Sequence, residues 1–177
     1  FRNMKIDTEI HSKLPVDYTF ITGKSNINCD YFIDSIEKGI ADESNRSFTT
    51  SVSGYMTNWN YFSKDKIFLD FLYPILDKID SFPQIVPSYY LDEVWGIKEN
   101  MGHRSSEHTH MPCYLSGVLY LNTNSQLLEF PEINKFVKPE PGRFAIFSSF
   151  LKHKASRNLI NKSKYAISFN LNYLLHS

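Results

Sequence analysis

The feature that most constrains the fold is a series of short segments in which apolar and polar residues alternate. These segments are rich in β-branched and aromatic residues, and turn-forming runs such as 122–125 and 139–142 separate them. A period of two is typical of strands that bury one face. The pattern predicts strands at residues 5–10, 16–22, 47–56, 89–99, 105–111, 114–121, 126–130, 143–148 and 164–174.

Two segments in the first half of the chain have helical periodicity instead. Asn28 is suited to cap a helix that runs to about Asp42. A second helix is predicted from about Ser63 to Ser81, and Pro74 inside it predicts a kink or a break. Because the helices come early and the strands late, this order favours an α+β domain, mainly β. Its C-terminal half would be an antiparallel double-sheet barrel or jelly roll.

Length and composition favour one packed domain over residues 1–177, with helical support at about 28–81 and a jelly-roll core at about 84–175. Apolar residues make up 42% of the chain, which is too many for a disordered protein. The 19 basic and 19 acidic residues cancel, so charge gives no reason to expect nucleic acid or an anionic membrane as partner.

The number of cysteines and the hydropathy of the chain both favour a cytoplasmic location. Cys29 and Cys113 are the only cysteines, and two scattered cysteines suit a reducing cytosol. No apolar run approaches the roughly 20 residues that a membrane span needs. We therefore expect a cytoplasmic protein without a membrane partner.

Two histidines lie two residues apart next to a predicted strand. In an extended segment His108 and His110 point the same way, whereas Glu107 and Thr109 point the other way. Each imidazole can then offer a nitrogen to one metal ion. His153, which follows the predicted strand at 143–148, is the best candidate for a third ligand. Imidazole suits iron, zinc, copper and nickel, and a site with open positions suits oxygen chemistry.

The residues around these histidines resemble the phage and marine-bacterial 2-oxoglutarate/iron(II) oxygenases that are related to prolyl 4-hydroxylases. The matching blocks cover most of the chain and occur in the order found in that family. They are VSGYMTNW at 52–59, VWGIKENMG at 94–102, HTH at 108–110, LSGVLYL at 115–121, PGRFAIFSSFLKH at 141–153 and KYAISFN at 164–170.

The resemblance implies a double-stranded β-helix, or jelly-roll, core with the N-terminal helices packed on one sheet. It also implies Fe(II) as metal, 2-oxoglutarate as cosubstrate and ascorbate as a reductant. The metal ligands would be His108, His110 and His153, which are then the catalytic centre.

A basic residue on the final core strand holds the far carboxylate of the cosubstrate in the family. The matching position is Lys164, which supplies a point charge where the family usually has the bidentate fork of an arginine. Arg157 is the competing anchor. Ser168 lies four residues beyond Lys164 on the same face of the predicted strand, so its hydroxyl is a candidate second donor. The resemblance places the hydroxyl of Tyr120 beside the same carboxylate, although Tyr120 equally suits a core position.

His110 departs from the commoner pattern of two histidines and one carboxylate. Either three imidazoles hold the metal, or a carboxylate from another strand such as Glu129 replaces His110. We favour His110. Phage members of the family carry histidine at the same place, so this substitution is compatible with activity.

The function implied is the hydroxylation of an unactivated C–H bond in a peptidyl (first hypothesis, prolyl) or small-molecule substrate, with release of succinate and CO2. One alternative is a cupin-type metal dioxygenase that has three histidines and does not use 2-oxoglutarate. Another is a catalytically inactive jelly-roll binding domain. A homodimer is one hypothesis for the assembly, and a phage-encoded protein would act in the host cytoplasm.

Overall fold

A computed structural model describes residues 5–11, 17–42, 44, 51–81 and 88–173 of the chain. These residues form two α-helices, α1 (Cys29–Ala41) and α2 (Lys66–Asp80), and a short 3-10 helix at Pro131–Ile133. The strands are β1 (Lys5–His11), β2 (Tyr18–Lys24), β3 (Val52–Ser53), β4 (Tyr55–Met56), β5 (Tyr89–Glu99), β6 (Arg104–His108), β7 (Leu115–Tyr120), β8 (Leu128–Phe130), β9 (Lys135–Val137), β10 (Arg143–Ser148), β11 (His153–Ala155) and β12 (Lys164–Tyr173).

The strands make two antiparallel sheets. The larger has seven strands in the order β1-β2-β10-β7-β12-β5-β4, and the smaller has five in the order β3-β6-β11-β8-β9. Every pairing within them is antiparallel. Two helices followed by two mostly C-terminal antiparallel sheets confirm the predicted α+β class, mainly β.

Side chains cap both helices at their N-termini. The carboxamide of Asn28 accepts a hydrogen bond from the backbone of Tyr31, and α1 ends at the C-cap Asp42, as predicted. The carboxylate of Asp65 accepts one from Phe68, so α2 begins after a stretch of turns and later than Ser63.

The predicted break at Pro74 is wrong, because α2 continues through it. Proline removes the hydrogen bond that would reach the carbonyl of Asp70. Asp70 and its neighbour Tyr73 are exposed, so water can satisfy that carbonyl.

Both helices pack on one face of the seven-stranded sheet. Their buried side chains, such as Phe32 and Phe68, form one core with residues of the central strands, such as Leu119 on β7 and Phe169 on β12. Aromatic rings bridge the layers, since Phe68 lies edge-on to Phe169 with ring centroids 5.6 Å apart. The predicted packing of the helices against one sheet is therefore confirmed.

The other face of the large sheet packs on the small sheet. Tyr120 and Phe147 of the large sheet contribute to a second core with Leu128 and Phe130 of the small sheet. Phe130 lies edge-on to Phe147, with centroids 4.7 Å apart. This space between the sheets is where ligand sites form in such β architectures.

Several strand predictions need correction at their ends. β6 stops at His108 and does not reach 111. The predicted strand 47–56 becomes two short strands, β3 and β4, with Gly54 between them, while residues 45–50 lie outside the described part. β9 and β11 were not predicted, because three residues are too few for alternation to be recognised.

Among the described residues, no helix is both long and apolar enough to cross a membrane.

Phe68→Ala should lower the free energy of unfolding by about 3–5 kcal/mol, because it leaves a cavity where the helix layer meets the sheet. Tyr73→Ala on the same helix is the matched control, since Tyr73 is 53% exposed and Phe68 is 0% exposed. The control should change the free energy by no more than about 0.5 kcal/mol. Urea unfolding followed by circular dichroism measures both, and equal effects would refute this packing.

Candidate metal centre

Strand pairing brings two of the predicted ligands together. β11 runs antiparallel to β6, and His153 stands directly opposite His108 in the register. Opposite residues on neighbouring strands point to the same face, and their Cβ atoms lie about 5 Å apart. The two imidazole centroids are accordingly 4.4 Å apart.

The third histidine reaches the same point from the loop after β6. The backbone N–H of His110 donates to the carbonyl of Ser149, at 2.9 Å, which ties this loop to the turn before β11. The His110 ring lies almost parallel to that of His153, with centroids 5.0 Å apart, and it is 5.0 Å from that of His108. The side chains of His108 and His110 therefore converge although β6 ends at His108.

The three histidines form a group in which the candidate ligand nitrogens lie within 4.8 Å of one another. Three nitrogens bound at about 2.1 Å in adjacent positions of one ion would be about 3 Å apart. Binding of one ion would therefore draw the nitrogens closer together by up to about 2 Å. Among the described residues, this is the one group of at least three histidine, cysteine or acidic side chains with such spacing.

Backbone carbonyls fix the tautomer of two of the rings. Nδ1 of His108 lies 2.7 Å from the carbonyl oxygen of Ser106, and Nδ1 of His153 lies 2.9 Å from that of Leu151. A carbonyl only accepts, so both Nδ1 atoms carry the hydrogen and both Nε2 atoms keep a lone pair. Such bonds orient histidines that bind metals.

The surroundings of His110 and His153 also keep these two rings uncharged. Burial lowers the pKa of His110 to about 3, with further lowering by His153 and His108, while a hydrogen bond to Asn170 acts in the opposite direction. Burial lowers the pKa of His153 to about 4, again helped by His108. Neutral imidazole is the form that binds a metal. The donor set therefore fits a divalent transition metal.

The histidines line a cavity of about 750 Å³ that opens between the two sheets. Its inner wall includes the aromatic side chains of Trp95 and Phe147, and the His110 ring is stacked against Trp95 with centroids 6.0 Å apart. A mostly apolar cavity with a few convergent polar groups is the usual form of a ligand site.

Lys164 lies in the wall of this cavity and is buried, with 4% of its surface exposed. Its Nζ forms an ion pair with the carboxylate of Glu99, which is also buried and lines the same cavity. The register of β5 and β12 places the two residues directly opposite each other. The candidate anchor therefore already has a negatively charged partner.

The other predicted cosubstrate residues divide into two groups. Ser168 and Tyr120 line the cavity with Lys164, and the Lys164 Nζ lies 5.9 Å from the centroid of the Tyr120 ring. Arg157 is exposed and lines a different surface depression, beside Arg104. The geometry thus favours Lys164 over Arg157.

Neither carboxylate considered for the metal is near it. Glu129 accepts a hydrogen bond from the hydroxyl of Ser156, at 2.8 Å, and is not part of the histidine group. The converging group therefore supports His110, and not Glu129, as the third candidate ligand. Glu107 is exposed and lines the outer depression, as the alternation predicted.

Sequence reasoning missed Glu99 and two acidic residues at the cavity mouth. Asp92 and Glu93 are consecutive, yet both line the cavity, because the register of β5 against β12 shifts at this point. The Asn172 amide donates to Asp92 and the Asn170 amide to Glu93, each at 2.8 Å. The sequence did contain a signal for this irregularity. In a regular strand only one of two consecutive residues faces inward, so two acidic residues in succession within a predicted strand indicate a local bulge.

No protein-family model and no curated protein matches the sequence. Solved structures do match the fold. The viral collagen prolyl hydroxylase vCPH of Paramecium bursaria Chlorella virus-1, solved with 2OG, aligns over 89% of this chain and 96% of its own, with a TM-score of 0.67 and 16% identity. The prolyl-4-hydroxylase of Pseudomonas putida aligns over 88% and 93%, with a TM-score of 0.65 and 14% identity. The fold is that of the prolyl hydroxylases.

The prolyl hydroxylase fold also occurs in proteins named for other chemistry. The alpha-ketoglutarate-dependent epimerase SnoN of nogalamycin biosynthesis aligns over 88% of this chain and 77% of its own, with a TM-score of 0.65 and 12% identity. Likeness at this level establishes the fold, and the activity has to be argued from the site.

Replacing any one of His108, His110 and His153 by alanine should weaken the binding of Co(II) or Fe(II) by at least about 100-fold, more than the loss of an outer hydrogen bond costs. Anaerobic titration in the presence of a competing chelator measures this affinity.

Two variants serve as controls for that titration. His103→Ala removes a histidine whose Nδ1 accepts a hydrogen bond from the backbone of Asn100, away from the group. Glu129→Ala removes the rejected ligand. Both should retain the affinity within about threefold. A loss in Glu129→Ala as large as that in His110→Ala would overturn the three-histidine ligand set.

Proposed function

We propose that residues 1–177 form a single jelly-roll domain that acts as a 2-oxoglutarate- and Fe(II)-dependent oxygenase, a hydroxylase of unactivated C–H bonds. One observation carries the proposal. Three histidines with converging nitrogens and a buried lysine line the same cavity, within a fold shared with prolyl hydroxylases.

The histidines would hold the iron on one side and leave its other positions toward the cavity. His108 and His153 are positioned by strand pairing and by their Nδ1–H bonds to the backbone, which leave the lone pair of each Nε2 available to the metal. His110 supplies a neutral donor where a carboxylate is commoner, which leaves the bound metal one positive charge richer.

Lys164 would bind the far carboxylate of 2-oxoglutarate, with the hydroxyls of Ser168 and Tyr120 as additional donors on the same wall. With Fe(II) and 2-oxoglutarate bound, O2 would be the oxidant: one oxygen atom would enter the substrate C–H bond, the other would enter succinate as 2-oxoglutarate loses CO2, and ascorbate would keep the iron reduced. The chain's own part is to fix the geometry of these groups.

Apolar side chains would keep water from the reaction. Trp95 covers one side of His110, and Phe147 lies edge-on to the His153 ring with centroids 4.9 Å apart. A dry site strengthens the electrostatic interactions within it and limits side reactions.

The cavity mouth favours some substrate classes over others. Asp92 and Glu93 line the cavity, and no described residue forms an ion pair with either of them. Their negative charges would repel a nucleotide or another phosphate-bearing substrate. A peptidyl substrate, with prolyl as the first hypothesis, agrees with the named activities of vCPH and the Pseudomonas enzyme. SnoN supports a small molecule equally.

A second function has one observation in its favour. Glu99 already neutralises the charge of Lys164. This pairing is expected in a three-histidine dioxygenase that does not bind 2-oxoglutarate, because Lys164 then needs no carboxylate from a ligand. Such an enzyme needs no carboxylate anchor.

Succinate release in the presence of Fe(II), ascorbate and 2-oxoglutarate separates these functions. The proposal predicts that the protein forms succinate, and that Lys164→Ala reduces kcat/KM for 2-oxoglutarate by at least about 100-fold, because the far carboxylate would then face the buried charge of Glu99 without a cation beside it. The matched control is Arg157→Ala, which removes a cation outside the cavity and should keep the rate within about twofold.

Two results would contradict this proposal. Turnover that persists after His153→Ala would exclude the proposed metal centre. Oxygen consumption that is independent of 2-oxoglutarate and unaffected by Lys164→Ala would favour the second function.

A further inference from the structure

The ion pair between Glu99 and Lys164 lies inside the protein, in the wall of the cavity that the histidines line. Both side chains are buried, with 1% and 5% of their side-chain surface exposed, and both line the cavity of the histidines. Taking two charges out of water is costly, so a buried pair lasts only where its geometry and further hydrogen bonds compensate. Strand register supplies that geometry, because Glu99 and Lys164 are directly opposite each other.

The two carboxylate oxygens of Glu99 have different partners. Lys164 contacts Oε2. Oε1 accepts hydrogen bonds from the hydroxyl of Ser105 at 3.1 Å and from the amide of Gln126 at 3.3 Å. The Gln126 amide is itself fixed, since it also donates to the carbonyl of Ser156 at 2.8 Å. Glu99 would therefore keep two donors if Lys164 turned to another anion.

We infer that Glu99 is an internal competitor for Lys164 and sets how tightly the cavity binds an anionic cosubstrate. The inference rests on the proposed function. A far carboxylate entering the cavity gains Lys164 only by taking it from Glu99, and it then lies close to a second negative charge in a medium of low dielectric. Glu99 thus acts as a specificity-determining residue that lowers the affinity for dicarboxylates.

Removing the charge of Glu99 while keeping its shape tests this inference. Glu99→Gln should bind 2-oxoglutarate at least about tenfold more tightly than the unchanged chain, because Lys164 then lacks a competing anion. Anaerobic isothermal titration of 2-oxoglutarate into the Zn(II)-loaded protein measures the dissociation constant without turnover. Thermal unfolding with and without 2-oxoglutarate should show a larger stabilisation of the variant by the ligand.

Matched controls separate the local charge from other effects. Asp34→Asn makes the same change in net charge on the exposed side of α1 and should leave the affinity within about twofold. Adding Lys164→Met to Glu99→Gln should abolish the gain. An affinity in Glu99→Gln equal to or weaker than that of the unchanged chain would overturn the inference.

The unchanged chain offers a second test that does not depend on the folding of a variant. The monocarboxylate 2-oxopentanoate has the same length of chain as 2-oxoglutarate but lacks the far carboxylate. Competition by Glu99 predicts that the two ligands differ by less than about tenfold in affinity. A preference for 2-oxoglutarate above about 100-fold would indicate an unopposed lysine and overturn the inference.

The outcome also distinguishes failure of the inference from failure of the proposed function. If 2-oxoglutarate binds the unchanged chain and Glu99→Gln gives no gain, the role of Glu99 alone is wrong. If the Zn(II)-loaded protein binds 2-oxoglutarate in neither form, the proposed cosubstrate is wrong, and the inference falls with it.

Discussion

The antiparallel pairing of β6 with β11 is the constraint on which the site depends. It places His153 opposite His108 across two strands of the small sheet, and the loop after β6 then adds His110. Histidines that are far apart in the chain become neighbours through the backbone hydrogen bonds of paired strands. The large sheet and its two helices form the support on which this small sheet packs.

A balance of charge in the cavity is the second organising feature. Burial keeps His110 and His153 neutral, and the buried Lys164 in the cavity wall is paired with the buried Glu99. The acidic mouth at Asp92 and Glu93 lies outside this balance. The same cavity thus combines three converging histidines, a lysine paired with a glutamate and two further carboxylates. Each of these groups limits what can bind.

The sequence allowed the histidines, Lys164 and most strands to be predicted, because these signals are local or lie in short motifs. The alternation of apolar and polar residues predicted the ends of β5 and β12 to within one residue. It did not predict which strands pair with each other in the sheet. Glu99 was missed for that reason: its role exists only through the register that sets it against Lys164. β11 was missed because it has three residues, although it carries His153. Pro74 misled because propensity does not reveal whether water can reach the freed carbonyl.

A crystal structure of the chain grown or soaked without oxygen in Fe(II) and 2-oxoglutarate tests the central claim most directly. The account predicts one iron ion bound by Nε2 of His108 and His153 and by His110, with the far carboxylate of 2-oxoglutarate on Lys164 and Glu99 turned to Ser105 and Gln126. An iron ion bound by other residues, or a 2-oxoglutarate carboxylate on Arg157, would contradict it.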